Sequence, residues 1–160
     1  MRDRFDTARL LALGVPLALL GGALISQYVG HLYPCELCWY QRYPHIAALA
    51  LAALAFVVPG RPARGALVAL AALAILLSGA IGVFHAGVEY HWWQGFTECT
   101  STLSGPVTLD SIMNAPIVRC DVAQWRLFGI SLAGFNALFS IGGAIAIFGV
   151  MQGQTQGKRV

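Results

Sequence analysis

The sequence is poor in charge. Lys and Arg number 10 and Asp and Glu 7, together 11% of 160 residues, against roughly 25% in an average soluble domain. A soluble chain of this length cannot cover its surface with so few charges, and hydrophobic residues make up 58% of it. The apolar surface must face something other than water, and a lipid bilayer is that solvent. A basic run interleaved with aromatics is lacking, as is a Gly-rich phosphate-cradling loop, and the net charge of +3 is scattered. These absences exclude a nucleic-acid partner. There is no internal repeat, and no low-complexity segment beyond the polar tail Gln152 to Val160. Cysteine is scarce too: four residues, none inside a long apolar run.

Four long uncharged stretches remain, at about 10–30, 43–60, 65–88 and 127–151. Crossing the hydrocarbon core takes about 20 apolar residues, with a range of about 17–25. Lipid offers no partners to an open strand, so each stretch reads as a helix. The expected fold is an all-α integral membrane protein: one domain over 1–160, a four-transmembrane-helix bundle. The first stretch follows Arg2, Arg4 and Arg9, as a signal peptide would. Its length exceeds an h-region of about 7–15 residues and no small-x-small cleavage site follows, so it reads as a retained span.

Lys and Arg near the span ends set orientation. The N-terminus, the turn Pro59 to Arg64 and the C-terminus carry seven (Arg2, Arg4, Arg9, Arg61, Arg64, Lys158, Arg159), against three (Arg42, Arg119, Arg126) on the other side. Both termini are therefore expected in the cytoplasm, with loops 31–42 and 89–126 outside. In the second loop Gly105-Pro106 marks a turn. Leu109, Ile112 and Met113 then repeat at helical spacing, which suits either a short interfacial helix or an ordered loop with buried anchors.

All four cysteines fall on the outer side, where disulfides persist. Cys35-Glu36-Leu37-Cys38 is a C-x-x-C pair at the mouth of the second span. Such spacing favours a redox-active dithiol, and a helix N-terminus beside Cys38 favours its thiolate. Arg42, four residues on, shares a helix face with Cys38. Alone it reads as a snorkelling interfacial residue; beside C-x-x-C it reads as a cation that stabilises the thiolate and an anionic quinone oxygen. A structural disulfide and half of a zinc site are the other readings of the pair. Zinc prefers two tight pairs, whereas Cys99 and Cys120 lie far apart, so no metal is expected. Haem attachment would need His after the second Cys, where Trp39 stands. Cys99 and Cys120, in a loop with Gly and Ser, suit exchange with an incoming thiolate or a plain loop staple.

His85 and Glu89, four apart at the outer end of the third stretch, are candidates for lining a quinone pocket or relaying protons, because ionisable groups at membrane depth are rarely idle. An interfacial pair that only packs is an equal reading. Tyr90, Trp92, Trp93 and Phe96, and likewise Trp39, Tyr40 and Tyr43, read as aromatic belts. Gly21-Gly22, Gly79, Gly82 and Gly142-Gly143 read as points of close helix approach.

Pro34-Cys35-Glu36-Leu37-Cys38, then Tyr40-Gln41-Arg42-Tyr43, then Cys120-Asp121 before the last stretch resemble the DsbB disulfide-bond formation proteins over nearly the whole chain. The resemblance implies a membrane thiol oxidase, with a reduced, periplasmic, DsbA-like thioredoxin-fold protein attacking a Cys99–Cys120 disulfide. It implies that Cys99 forms the mixed disulfide and Cys120 attacks Cys35. Cys38 is then released as a thiolate against ubiquinone or menaquinone, bound non-covalently or as a transient Cys38 adduct, with Arg42 holding the anionic state. The DsbA–DsbB–quinone route is what keeps the bacterial periplasm oxidising. Two other readings compete: a quinone reductase of the vitamin K epoxide reductase type, whose C-x-x-C usually sits at a later helix, and a structural or zinc-binding four-helix membrane protein.

Overall fold

The computed structural model describes residues 2–97, 99, 113 and 118–156. The expectation of a short helix around Leu109, Ile112 and Met113 falls on a stretch that, Met113 apart, lies outside the described residues. Four long helices carry the architecture: α1 Arg2–Tyr28, α2 Glu36–Val57, α3 Arg61–Glu89 and α4 Leu132–Gln156. α1, α3 and α4 are long and apolar enough to cross a membrane. Among the described residues α2 does not join them; Glu36, Gln41, Arg42 and His45 stand in its first half.

Local chemistry sets the helix ends. The Cys35 side chain accepts from the Cys38 amide and caps α2, so this helix starts at Glu36, earlier than the apolar stretch that begins at Tyr43. Gly60, at φ +88°, turns the chain into α3, a backbone region open to glycine at little cost. Ser131 Oγ accepts from the Gly134 amide at 3.2 Å and caps α4.

Sequence patterning had placed Leu127 to Ser131 at the start of the last span. They form instead a small antiparallel hairpin, β1 Arg126–Leu127 and β2 Ile130–Ser131. Phe128 and Gly129, at φ 51° and 80°, make the two-residue turn whose twist suits a hairpin. Tyr90 fastens it to the end of α3: its hydroxyl donates to Gly129 O at 2.7 Å and accepts from Ser131 N at 3.1 Å. Tyr90 is thus a clamp as well as an interfacial ring.

α3 packs most extensively against α2 and α4, and α1 closes the bundle against the same two helices. Near the termini the core is mainly alanine: Ala8 and Ala12, Ala48, Ala52 and Ala55, Ala71 and Ala72, and Ala144, with Val68, Ile75 and Ile147. Small side chains let helix backbones approach closely where lipid supplies no hydrophobic drive. Added Cβ atoms at Gly79 and Gly82 would meet Ile141 at 2.8 Å and Ala137 N at 3.0 Å, and one at Gly143 would meet Val15 at 3.0 Å. Gly21, Gly22 and Gly142 correct the sequence reading: a Cβ there meets nothing within 4 Å. Gly22 borders a cavity instead.

Candidate functional site

The end of the bundle away from the termini is built differently. Cys35, Leu37, Val88, Cys99 and Cys120 form a second buried cluster, with Cys38, Phe84 and Val118 against it. Cys99 and Cys120 are disulfide-bonded, and the Cys120 amide donates to Cys99 O at 3.1 Å. Thr97, which sequence reading passed over, sets its hydroxyl 3.1 Å from Cys99 Sγ. Cys35 and Cys38 are free thiols with sulfurs 2.9 Å apart. Cys35 Sγ, Cys120 Sγ and a His85 ring nitrogen all lie within 4.8 Å of one another. The two cysteine pairs, distant in sequence, therefore meet at Cys35 and Cys120.

The pair at the head of α2 is electrostatically split. The shared thiol–thiol hydrogen bond and burial push the Cys35 thiol far above its usual range. The same bond draws Cys38 below it, with the Cys35-to-backbone cap and the Arg42 charge acting in the same direction. Of the two thiols, Cys38 is therefore the one whose thiolate is favoured, against the opposing effect of burial.

Arg42 is held from α1: Nη1 donates to Gln27 Oε1 at 2.7 Å and Nη2 to Ala23 O at 3.4 Å. Its guanidinium lies over the Trp39 ring, 5.0 Å from the centroid. Trp39 therefore stacks on the site as well as sitting at the surface.

His85 is 2% exposed and sits at a junction. Gln41 Nε2 lies 2.7 Å from His85 Nδ1 and also donates to Leu37 O at 3.2 Å. Nδ1 is therefore the acceptor and Nε2 carries the proton. Nε2 stands 3.6 Å from Cys35 Sγ and 3.8 Å from Glu89 Oε1. Glu89 lies beside the hairpin, with Arg126 Nη2 donating to its backbone carbonyl at 3.4 Å.

A cavity of about 270 Å³ opens among α1, α2 and α4 and the cysteine end of α3. Cys35, Cys38, Arg42, His85 and Glu89 all border it, and so do Gln41, His45 and Asn136. Leu19, Phe135 and Phe139 supply much of its apolar wall. Two buried atoms on the lining residues, His45 Nδ1 and Glu89 Oε2, have no hydrogen-bond partner among the described residues. Apolar walls with a few convergent polar groups make the usual small-molecule pocket, and this one would accept a flat apolar ring bearing polar oxygens.

Gln41, His45 and Asn136 were not picked out as site residues from sequence. The available signal was the presence of His, Gln and Asn at membrane depth. Trp93, read as a belt residue, packs so closely on α3 that a Cβ at Gly87 would run into its ring. Its Nε1 donates to Phe84 O at 2.9 Å. Trp92 and Phe96 are 67% and 76% exposed, as belt residues would be.

Residues 5–150 match the family described as Disulfide bond formation protein DsbB. An uncharacterized protein of Rickettsia prowazekii, RP370, is 26% identical over 146 residues, covering 88% of this chain and 84% of that protein. A protein of Marinobacter nauticus named Disulfide bond formation protein B is 27% identical over 133 residues, covering 76% of each. No solved structure matches the chain.

Proposed function

The chain belongs to the DsbB family, membrane proteins of disulfide bond formation, and from that premise we propose that it is a protein thiol:quinone oxidoreductase of the bacterial inner membrane. In this reading all four helices span, both termini are cytoplasmic, and the cysteines face the periplasm. Its reductant is a DsbA-like thioredoxin-fold dithiol protein, and its acceptor is ubiquinone or menaquinone from the membrane pool.

The observation that carries the reading is the approach of Cys120 Sγ to Cys35 Sγ within 4.8 Å, with the Cys38 sulfur 2.9 Å beyond Cys35 in the chain of sulfurs and Cys38 at the cavity wall. The partner's thiolate attacks Cys99, the Cys99–Cys120 bond breaks, and Cys120 leaves as a thiolate. The partner's second thiol displaces Cys99 and departs oxidised. With the inner pair oxidised, Cys120 attacks Cys35, the Cys35–Cys38 bond breaks, and Cys38 leaves as the thiolate that the helix N-terminus and Arg42 favour. Cys99 then displaces Cys35 from Cys120. The outer disulfide is restored and Cys35–Cys38 is left as a dithiol holding two electrons and two protons. His85 Nε2–H faces the Cys35 sulfur through these exchanges and steadies its anionic form. A quinone in the cavity supplies a two-electron, two-proton acceptor; Arg42, Gln41, His85 and Glu89 are the residues that would hold it beside Cys38.

Purified protein in detergent, given a reduced DsbA-like protein and a short-chain ubiquinone analogue, is expected to reduce the quinone, followed by absorbance. Turnover should vanish in Cys38→Ser and weaken in Arg42→Ala. No turnover with several dithiol partners and both quinone types would overturn the reading. One observation favours a second reading: Cys35, His85 and Cys120 are close enough to share a metal ion. Zinc would need Cys120 released from its disulfide, and metal analysis of protein reduced and purified with zinc decides it.

A further inference from the structure

A second histidine lies deeper in the bundle and takes no part in the thiol chemistry. His45 is 3% exposed, on α2, and shares a helix face with Cys38 and Arg42. It stands seven positions beyond Cys38, about 10 Å along the axis. Asn136 Nδ2 donates to Gln41 Oε1 at 2.8 Å and to Ser78 O and Oγ at 3.2 Å each. Asn136 Oδ1 is therefore the acceptor of that side chain. It takes a hydrogen bond from Ser140 Oγ at 3.1 Å and lies 2.9 Å from His45 Nε2. Nε2 must carry the imidazole proton, because a neutral ring has one donor and one acceptor nitrogen. Nδ1 is left as a bare lone pair, buried and without a partner among the described residues. A buried acceptor left in this way costs about 1–3 kcal/mol, and His45 borders the cavity that holds Cys38 and Arg42.

We propose that His45 is a ligand contact at the deep end of this cavity, whose Nδ1 accepts a hydrogen bond from the hydroxyl of a reduced quinone at the ring oxygen remote from Cys38. This rests on the quinone reading above and adds the redox form that the site prefers. A quinone carbonyl brings only lone pairs toward Nδ1, whereas a hydroquinone hydroxyl brings a donor. Two electrons and two protons from the Cys35–Cys38 dithiol convert the one oxygen into the other, and the hydrogen bond to His45 exists only after that conversion. Preferential binding of the reduced form pulls the bound couple toward reduction, since a ligand shifts an equilibrium by its differential affinity for the two states. That suits a protein that has to draw electrons from a strongly oxidising partner. Asn136 and Ser140 are positioning residues that fix the tautomer.

The test compares dissociation constants of a short-chain ubiquinone analogue and of its anaerobically maintained quinol, for the wild-type protein and for His45→Gln. The Gln amide can keep the donor to Asn136 but carries an oxygen acceptor of its own, so His45→Leu, which has no acceptor, is measured alongside it. In His45→Leu quinol affinity is expected to fall about five- to tenfold, the weight of one hydrogen bond, with quinone affinity essentially unchanged. A His45→Leu protein that binds both forms more weakly alike, or neither, overturns the proposal and leaves the oxidase reading standing. Wild-type protein that binds neither form overturns both. If His45→Leu does not fold, ¹⁵N-histidine NMR of the wild-type protein decides: the His45 Nδ1 resonance should move on adding quinol and stay on adding quinone. Equal movement with both forms, or none with quinol, sinks the idea.

Discussion

The two ends of the bundle are made of different materials. Near the termini, helices meet through alanine, with Ala8, Ala48, Ala52, Ala71 and Ala72 fully buried. Two of the cations there lie on aromatic rings, Arg9 over Phe56 at 4.1 Å and Arg61 over Phe5 at 5.4 Å. At the cysteine end, the buried surfaces carry Gln41, His45, Ser78, His85 and Glu89, and the helices stand apart around a cavity. Tight apolar packing fixes the frame. The polar end gives up part of that rigidity to an open space and, among the described residues, two buried acceptors without a partner. Buried polar groups without partners are costly; among the described residues Arg9 Nε is one at the terminal end, and the two acceptors, His45 Nδ1 and Glu89 Oε2, both border the cavity.

The contrast can be broken first at the cysteines. With the protein fully reduced, alkylation at rising pH should label Cys38 well before Cys35. A thiol held below its ordinary value of 9.0 is already thiolate at lower pH, while one held above stays protonated. Mass spectrometry of peptides quenched at neutral pH should show Cys38 modified and Cys35 intact; equal labelling would mean that the shared hydrogen bond does not split the pair.

Next in size is the frame. Ile75→Ala, at a fully buried position, should lower unfolding stability by about 2–5 kcal/mol while leaving thiol–disulfide exchange rates of the folded protein unchanged. If exchange slows with it, the two ends are one mechanical unit. Asn136→Leu makes the opposite cut. It strands Gln41 Oε1 and leaves His45 Nε2 with Ser140 Oγ at 3.3 Å, and should cost about 1–3 kcal/mol while also changing ligand affinity at the cavity. Loss of stability with ligand affinity intact would show Asn136 to be framework only.

Tyr90→Phe removes the clamp between α3 and the hairpin. The expected loss is about 1–2 kcal/mol, from two hydrogen bonds of ordinary strength, read as a lowered melting temperature. The smallest effect belongs to Asp121→Asn. Arg119 pairs with Asp121 through Nε at 2.8 Å and holds its carboxyl below the usual range, but the pair is solvent-screened. Stability should stay within experimental scatter; a clear drop would show that the pair anchors the outer loop.

Much of the site was legible in the sequence because redox chemistry uses few residue types. C-x-x-C beside a helix start, an arginine four residues on and a second cysteine pair pointed to one end of the chain's fold. What escaped were pairings between residues far apart. Nothing near His45 in sequence signals Asn136, 91 positions away. Leu127 to Ser131 continues the hydrophobicity of α4 without a break, so composition could not separate the hairpin from the helix; the φ > 0 turn at Phe128-Gly129 did. Glycine pairs misled for the same reason: Gly79 and Gly82 meet a neighbouring helix, and Gly21 and Gly22 do not, although all four look alike in the sequence.

By itself, then, the sequence pointed to the membrane as solvent, to the helical class and to the candidate reactive atoms. Those follow from how many charges the chain has and where its cysteines stand, which are properties of composition and short-range order. The tertiary structure decided which sulfur faces which, how the His85 and His45 protons are placed, and where the cavity opens. Each depends on contacts between different helices, and a hydrogen bond or a void between helices has no trace in the order of residues along any one of them.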